Sequence, residues 1–413
     1  MTENARTGPL QGIRVLDLTQ FLSGPYATQI LADLGAEVIK VESPQGDLSR
    51  SVAPHFVEGD SLYYHSINRS KQCVVLDLKT DKGREALRRM ACASDIVIEN
   101  FRPGVIRRLG LSVEDLRAEV PSLIWCSISG FGQDGPYRNK PAYDMIVQAL
   151  SGGMSMTGEA GRPPVRAGIP IGDLSAGMYA VIACLAAINR RHLNGDGEVI
   201  DISMLDCQAA MLCYQGAYYL NSGMIPGRQG RAHDSIPTYR SFTTGSGEDI
   251  VVTANTERMW KGLCVALQLN ELPNDPRFID NGARLKNKEA LWPILEAAFA
   301  NLDVDEAVGR LEAQEVPVGV VNTLDRVASD PQITYRNMVL TMENDSGSSV
   351  RVMGDPIKLK SCPGPLPSFP RPLGEDTATV LRRVLNMPED EIAEFQAAVP
   401  GRRRAMTEGV SNE

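Results

Sequence analysis

Between residues 12 and 128 short apolar runs alternate with helical stretches, and this alternation restricts the chain to a parallel, doubly wound sheet. Strands are predicted at 12–18, 36–42, 73–78, 95–100 and 122–128. Ser23-Gly-Pro25 reads as a break before a helix over 26–34, which Gly35 stops. Thr80 caps a helix running to residue 90, and Ser112-Val-Glu-Asp115 is a capping box opening another. A sheet of this kind binds ligands at the carboxyl ends of its strands. The first turn, Thr19-Gln-Phe-Leu-Ser-Gly-Pro25, lacks the glycines that let a backbone approach a pyrophosphate, so Glu42 alone does not make a dinucleotide site.

The second half changes character. Helices at 174–192 and 205–220 flank a strand at 198–202, and residues 222–233 form a polar, glycine-bearing linker. A hairpin of 238–244 and 249–254, helices to about 314 and a strand at 317–322 make a small α+β domain over 234–325. Residues 326–413 hold a further linker, a strand at 350–359, a proline-rich span at 363–372 and two short helices. At 413 residues the chain exceeds what one core usually supports, so residues 1–221 and 234–325 are read as separate domains.

Composition removes several functions. A formal charge of −9 and the lack of a basic stripe argue against nucleic acid, and Arg402-Arg-Arg404 reads as solvated. Eight cysteines without a C-x-x-C pair read as free thiols in a reducing cytoplasm. Four histidines, none spaced as ligands, leave no metal site. No basic n-region precedes an apolar core at the N-terminus, and the longest apolar stretch, 178–188, is too short to span a bilayer. The expected location is therefore cytoplasmic, with no membrane partner.

Chemistry concentrates at Asp173. This lone carboxylate follows an apolar run and heads an apolar helix, with Gly172, Ser175, Ala176 and Gly177 leaving space beside it. Free helix N–H groups and the helix dipole favour an anion there. Two readings fit: a plain N-cap, or a carboxylate that attacks a bound acyl group.

Six segments in order resemble the family III CoA-transferases, the family of formyl-CoA transferase and carnitine CoA-transferase. They are Gly12-Ile-Arg-Val-Leu-Asp-Leu18, Ala32-Asp-Leu-Gly-Ala-Glu-Val-Ile-Lys-Val-Glu42, Val97-Ile-Glu-Asn-Phe-Arg-Pro-Gly104, Ile128-Ser-Gly-Phe-Gly132, Gly172-Asp-Leu-Ser-Ala-Gly177 and Arg371-Pro-Leu-Gly-Glu375. The resemblance covers residues 10 to 385. It implies an α/β fold with a Rossmann-like, parallel-sheet, CoA-binding large domain, completed by a C-terminal return of residues 326–413. It further implies a small α+β domain and an interlocked homodimer. It makes Asp173 the catalytic carboxylate, passing through aspartyl anhydride and aspartyl-CoA thioester intermediates. Backbone N–H groups at 172–174 and in Ser151-Gly-Gly-Met154 are then candidate oxyanion donors. No permanently bound cofactor is implied; coenzyme A esters are substrates.

The same resemblance lays Leu76 and Lys79 at the adenine end of CoA, and Asn100, Phe101, Arg102, Val105 and Arg108 along it, with Lys140 a further candidate. For each cation a solvated helix face is the plainer alternative. Two departures bear on the acid. Position 22 is leucine where the formyl-CoA branch has glutamine, and residues 224–239 hold no tetraglycine flap, so formate–oxalate exchange is not expected. Racemases of 2-methylacyl-CoA share the fold but need a histidine where Tyr143 stands, and a phenol of ordinary pKa about 10 is a poor base at neutral pH. The expected activity is CoA transfer from an acyl-CoA, succinyl-CoA foremost, to a carboxylic acid, a dicarboxylate foremost. A 2-methylacyl-CoA racemase or a non-catalytic CoA-ester-binding protein are the alternatives. Leu22 and Tyr143 would border the acid, and Arg50, Arg162 or Arg166 would hold its distal carboxylate.

Overall fold

The computed structural model describes residues 7–399. The arginine run at 402–404 lies outside them. Two compact units emerge: one from the chain up to Gly153, Ala167–Gly216 and the chain from Thr334 on; the other from Met154–Arg166 and Ala217–Ile333.

The first unit is built on six parallel strands: β1 (Arg14–Asp17), β2 (Glu37–Glu42), β3 (Lys71–Val75), β4 (Ile96–Glu99), β5 (Ile124–Ser129) and β6 (Val199–Ser203). Their spatial order is β3-β2-β1-β4-β5-β6. Val15 pairs with Val38 on one side and Ile96 on the other, so β1 and β4 flank the point where chain order reverses. Alternation along each strand splits the apolar residues between two faces. Val15, Ile96, Ile98, Ile124 and Cys126 enter one core, while Leu16, Val97, Leu123 and Trp125 enter the other. The C-terminal chain covers the β3 edge: Asp376 accepts the Cys73 N–H at 2.9 Å, and Thr377 Oγ1 accepts the Val75 N–H at 3.1 Å. Those side chains satisfy strand donors that would otherwise invite another strand.

Helices α1 (Ser23–Asp33), α2 (Leu62–Ile67), α3 (Asp144–Leu150), α4 (Ile171–Asn194) and α5 (Met204–Ala210) belong to the same unit. Three of them differ from the sequence reading. Ser23-Gly-Pro25 is the first turn of α1, not a break before it; a first-turn proline costs nothing because its missing N–H has no helical acceptor. α4 starts at Ile171 with Pro170 as its N-cap, which puts Asp173 inside the first turn rather than at the cap. The stretch 205–220 is two helices, α5 and Cys213–Ser222, interrupted where Cys213 takes φ 45°. α4 also runs well beyond its most apolar segment. Its 24 residues are long and apolar enough to cross a bilayer, yet half of that window is buried inside the protein, as a core helix is.

The second unit holds an antiparallel sheet of β7 (Tyr239–Thr243), β8 (Asp249–Thr253) and β9 (Val318–Val320), ordered β9-β8-β7. Phe242, Ile250, Val252, Trp260, Leu291 and Phe299 lie in its core. The segment Met154–Arg166 clusters with this unit, a placement no change of composition marks.

α1 and α4 meet backbone to backbone. A Cβ built on Gly177 would stand 2.7 Å from Ser23 O and 3.1 Å from Tyr26 Cδ1. Gly177→Ala therefore sets two effects against each other. The helix gains about 1 kcal/mol of propensity, but a close-packed backbone oxygen has to move, at roughly 1–3 kcal/mol. The clash is expected to win. A lowered unfolding midpoint together with impaired catalysis is the expected result; a stabilised, fully active variant would show that the helices separate freely.

Candidate active site

A buried ionic frame fixes the turn after β1. Asp17 accepts from the Thr19 N–H at 2.9 Å, the Thr28 hydroxyl at 2.6 Å and the Lys71 ammonium at 3.1 Å. Burial alone would raise its carboxyl, but Lys71 and Lys40 hold it well below the usual carboxylate range. Lys40 donates to Thr19 O at 2.7 Å and pairs with Asp47 at 3.0 Å. Asp47 accepts the Phe21 N–H at 3.2 Å, and Phe21 sits at φ 60°. Asn100, just past β4, grips the same turn with both arms of its amide: Gln20 N–H donates to its oxygen at 2.9 Å and its nitrogen donates to Gln20 O at 2.8 Å.

That turn delivers Ser23 to the α4 helix that carries Asp173: a Cβ on Gly177, one turn along, would stand 2.7 Å from Ser23 O. Asp173 has a second neighbour. Asp144, in the first turn of α3, accepts the Gly172 N–H at 2.7 Å and the Asp173 N–H at 3.3 Å through Oδ1. Asp173 is thus not a lone carboxylate: two acidic side chains share the start of α4. Its carboxyl is pushed up to about 7, first by burial and then by Asp144, while the Ser23 hydroxyl pulls the other way. Tyr63 of α2 feels the same charges; burial first, then Asp173, pushes its phenol up to about 12, so it stays a proton donor. Tyr143 caps α3 and meets Phe21 edge-on, with ring centroids 6.3 Å apart. Leu22, the N-cap of α1, is almost closed to solvent.

Asp173, Leu22 and Tyr143 therefore gather around the starts of α1, α3 and α4, joined by Ser23, Asp144 and Tyr63, which the sequence reading passes over. Asp144 had a signal: an acid directly after the residue singled out at 143. Ser23 and Tyr63 had none, since only the fold brings them to residue 173.

Other expectations need correction. Arg50 cannot hold a substrate carboxylate. It is buried against Glu42 at 2.7 and 2.8 Å, Asp60 at 2.6 Å and the Tyr64 hydroxyl at 2.6 Å, so its fork is already filled. Leu76 is fully buried in the sheet's second core, so its side chain has no face for adenine. The Asn100 amide is engaged by Gln20. The backbone amides at 172–174 are also taken: the first two go to Asp144, and Leu174 N–H goes to Pro170 O at 3.0 Å. In the segment at 151–154, Ser151 N–H goes to Val147 O at 2.9 Å and Gly153 N–H to the Ser151 hydroxyl at 3.4 Å.

Lys79, Arg102, Arg108 and Lys140 are exposed, and the Lys140 ammonium lies 3.5 Å over the Tyr137 ring. Val105 opens the turn that carries Arg108, and half-buried Phe101 donates its N–H to Glu99 at 2.7 Å. Burial pushes the Glu99 carboxyl up to about 7. Arg166 and Arg162 belong to the segment that clusters with the second unit.

The raised Asp173 pKa sets a pH dependence. Its folded-state value stands above the ordinary 3.8, so its anion grows as pH rises through about 7. The ionised form is also the less stable one, and stability from the protonated form is lost over the same rise. A rate profile in kcat/KM should show an acid limb near 7. Asp144→Asn keeps an oxygen for the two amides but removes the charge, and should move that limb to lower pH. An unmoved limb would assign the titration to another group.

The CoA-transferase family III model matches residues 10–377. A succinate–glutarate CoA-transferase of Agrobacterium fabrum is 39% identical over 386 residues, 91% of this chain and 96% of that protein. An acetyl-CoA:oxalate CoA-transferase of Acetobacter aceti is 36% identical, over 92% and 97% of the two chains. The crystal structure of a CAIB/BAIF family protein from Brucella suis superposes with TM-score 0.83 at 37% identity, covering 92% of this chain and 100% of that one. By this match across nearly its whole length, the chain belongs to CoA-transferase family III, and it is an enzyme that transfers CoA between an acyl-CoA and a carboxylic acid.

Proposed function

We propose that Asp173 is the nucleophile, that succinyl-CoA is the donor and that a five-carbon or similar dicarboxylate such as glutarate is the acceptor. The observation carrying the first part is the pairing of Asp173 with Asp144, largely buried where two helices begin. A carboxylate raised to about 7 is more basic, and hence more nucleophilic, than a solvated one. Asp173 Oδ attacks the thioester carbonyl, the C–S bond breaks, and CoA leaves as thiolate with an aspartyl–acyl anhydride behind it. The thiolate then attacks the Asp173 carbonyl, expels the donor acid as carboxylate and leaves an aspartyl-CoA thioester. The acceptor carboxylate repeats these two steps in reverse. Every nucleophile and leaving group is an anion, so no histidine is required.

CoA runs over the carboxyl ends of the strands, held by Lys79, Arg102, Arg108 and Lys140, with Phe101 and Val105 as its apolar contacts. Arginine forks suit phosphate geometry. Arg50 is occupied and does not hold the distal carboxylate of the acid, and Leu22 and Tyr143 border that acid. The relatives' names support the dicarboxylate reading: one carries succinate and glutarate, the other acetyl-CoA and oxalate. Leu22 removes a side-chain amide that would order a small polar acid, which favours the larger acceptor. The first unit is the CoA-binding domain and the second the small domain. The enzyme works in the cytoplasm, without a resident cofactor, nucleic acid or membrane.

An incubation with succinyl-CoA alone followed by hydroxylamine should leave a hydroxamate on Asp173, seen by peptide mass analysis. Asp173→Ala should lose both label and turnover. Among acceptor acids, glutarate should be esterified much faster than oxalate. Turnover of a few per cent in the alanine variant would end the covalent mechanism; preference for oxalate would end the assignment of a larger dicarboxylate.

The enzyme is an interlocked homodimer. α3 and α4 expose Met145, Ile146, Leu150, Met178, Tyr179 and Ile182, an apolar surface that a second copy would cover. Light scattering should give a dimer that survives dilution to nanomolar concentration. A monomer there would exclude threaded subunits.

A further inference from the structure

Asp144 belongs to α3 but spends one carboxylate oxygen on α4. Oδ1 takes the Gly172 and Asp173 N–H groups at 2.7 and 3.3 Å. The other oxygen, Oδ2, accepts from Gln148 Nε2 at 2.7 Å. Gln148 stands four residues on, one turn along the same face of α3, and it is buried. The other arm of its amide is also in use: Oε1 accepts the Ala167 N–H at 2.9 Å, on the chain that enters α4. The two arms cannot be exchanged. The Ala167 N–H requires an acceptor and the Asp144 carboxylate requires a donor, so the amide has one orientation. A single buried side chain thus ties together the start of α3, the approach to α4 and, through Asp144, the first turn of α4.

Gly172 makes the approach close. A Cβ there would stand 2.9 Å from Asp144 Oδ1, and that carboxylate cannot swing aside without leaving Gln148. Without Gln148, Asp144 would have other choices, since a first-turn acid is also attracted to the free N–H groups of its own helix. A swing would strip the buried Gly172 of its acceptor and let the first turn of α4 shift. Asp173 projects from that turn and is used twice. Its oxygen attacks the thioester, and later its own carbonyl is attacked, so an error in its placement counts in each step.

We propose that Gln148 is a positioning residue for the reaction: by holding Asp144 in the rotation that grips α4, it sets where the Asp173 carboxylate stands. This rests on Asp173 being the nucleophile and deepens that reading. Gln148 acts through Asp144 and makes no bond to substrate.

The test uses the full-length enzyme. Gln148→Glu has nearly the same shape and keeps an acceptor for the Ala167 N–H, but it sets two carboxylates face to face. Misplacement of a reacting group by an ångström costs about 100-fold, so kcat should fall on that scale with KM for the CoA ester nearly unchanged. The double variant Asp144→Asn/Gln148→Glu reverses the bond. Its amide at position 144 keeps an oxygen for the two α4 N–H groups and donates from nitrogen to the carboxylate at 148. It should turn over faster than either single variant, whereas independent losses would multiply. If Gln148→Glu does not yield folded enzyme, the double variant is compared with Asp144→Asn alone, and the same gain is expected. A double variant slower than Asp144→Asn overturns the inference. So does a thermal midpoint that recovers in the double variant without recovery of kcat, which would make the contact structural only. A Gln148→Glu enzyme with raised KM and unchanged kcat overturns it as well. Single-turnover mixing with succinyl-CoA and hydroxylamine separates the inference from its premise. If the unmodified enzyme labels Asp173 and Gln148→Glu labels it equally fast, Gln148 does not position it while the nucleophile stands. If the unmodified enzyme does not label Asp173, both are overturned.

Discussion

The active end of this protein depends on the ion frame formed by Asp17, Lys71, Lys40 and Asp47. All four side chains are buried, and each charge is met by an opposite charge or a backbone carbonyl. Such frames are a poor source of net stability, because desolvation offsets much of the attraction. Their value lies in specificity: removing any one member strands a buried charge, so the arrangement admits one conformation of the turn at 18–22. That turn includes Phe21 in a left-handed conformation, which a phenylalanine adopts only when its surroundings impose it. Charge buried at the end of β1 is thus converted into a fixed position for Ser23.

The same trade appears at Asp173. A carboxylate largely buried beside another carboxylate is unfavourable as an anion, and the penalty appears as a raised pKa. Asp144 has two opposed effects. Through Oδ1 it satisfies the first amides of α4, which stabilises the helix start. Through its charge it disfavours the Asp173 anion, which makes that anion a better nucleophile. One side chain therefore caps the helix and tunes its neighbour. The sequence leaves Asp173 between a capping acid and a catalytic acid; on the proposed mechanism the two roles fall to two residues, the cap to Asp144 and the attack to Asp173.

How much of this was legible depends on the range over which each signal acts. The six strands of the large sheet were legible as short apolar runs between helical stretches, because the sheet feeds a core on each face. The start of α1 was not, because Ser-Gly-Pro is a turn signal locally, while a proline in a first helical turn carries no penalty. Arg50 and Leu76 escape sequence reading for a different reason. A basic or apolar residue near a strand end looks the same in sequence whether it faces a ligand or the core. Only the fold, which turns nearby Glu42, Asp60 and Tyr64 onto its guanidinium, shows that Arg50 is occupied. Asp173 was visible because its small neighbours leave room. Asp144 had a local signal, but Ser23 and Tyr63 did not, since they lie about 150 and 110 residues away from Asp173 in the chain.

Those long separations explain why the proposed reaction needs this fold. An anhydride mechanism asks for little acid–base chemistry but for strict exclusion of water, since both covalent intermediates hydrolyse readily. The groups around Asp173 are accordingly supplied by helix starts and a pinned turn. Each is anchored by backbone hydrogen bonds rather than by long, mobile side chains. Gly177 adds the last constraint. Because it lacks a side chain, α1 approaches α4 closely, and a Cβ at residue 177 would stand 2.7 Å from Ser23 O.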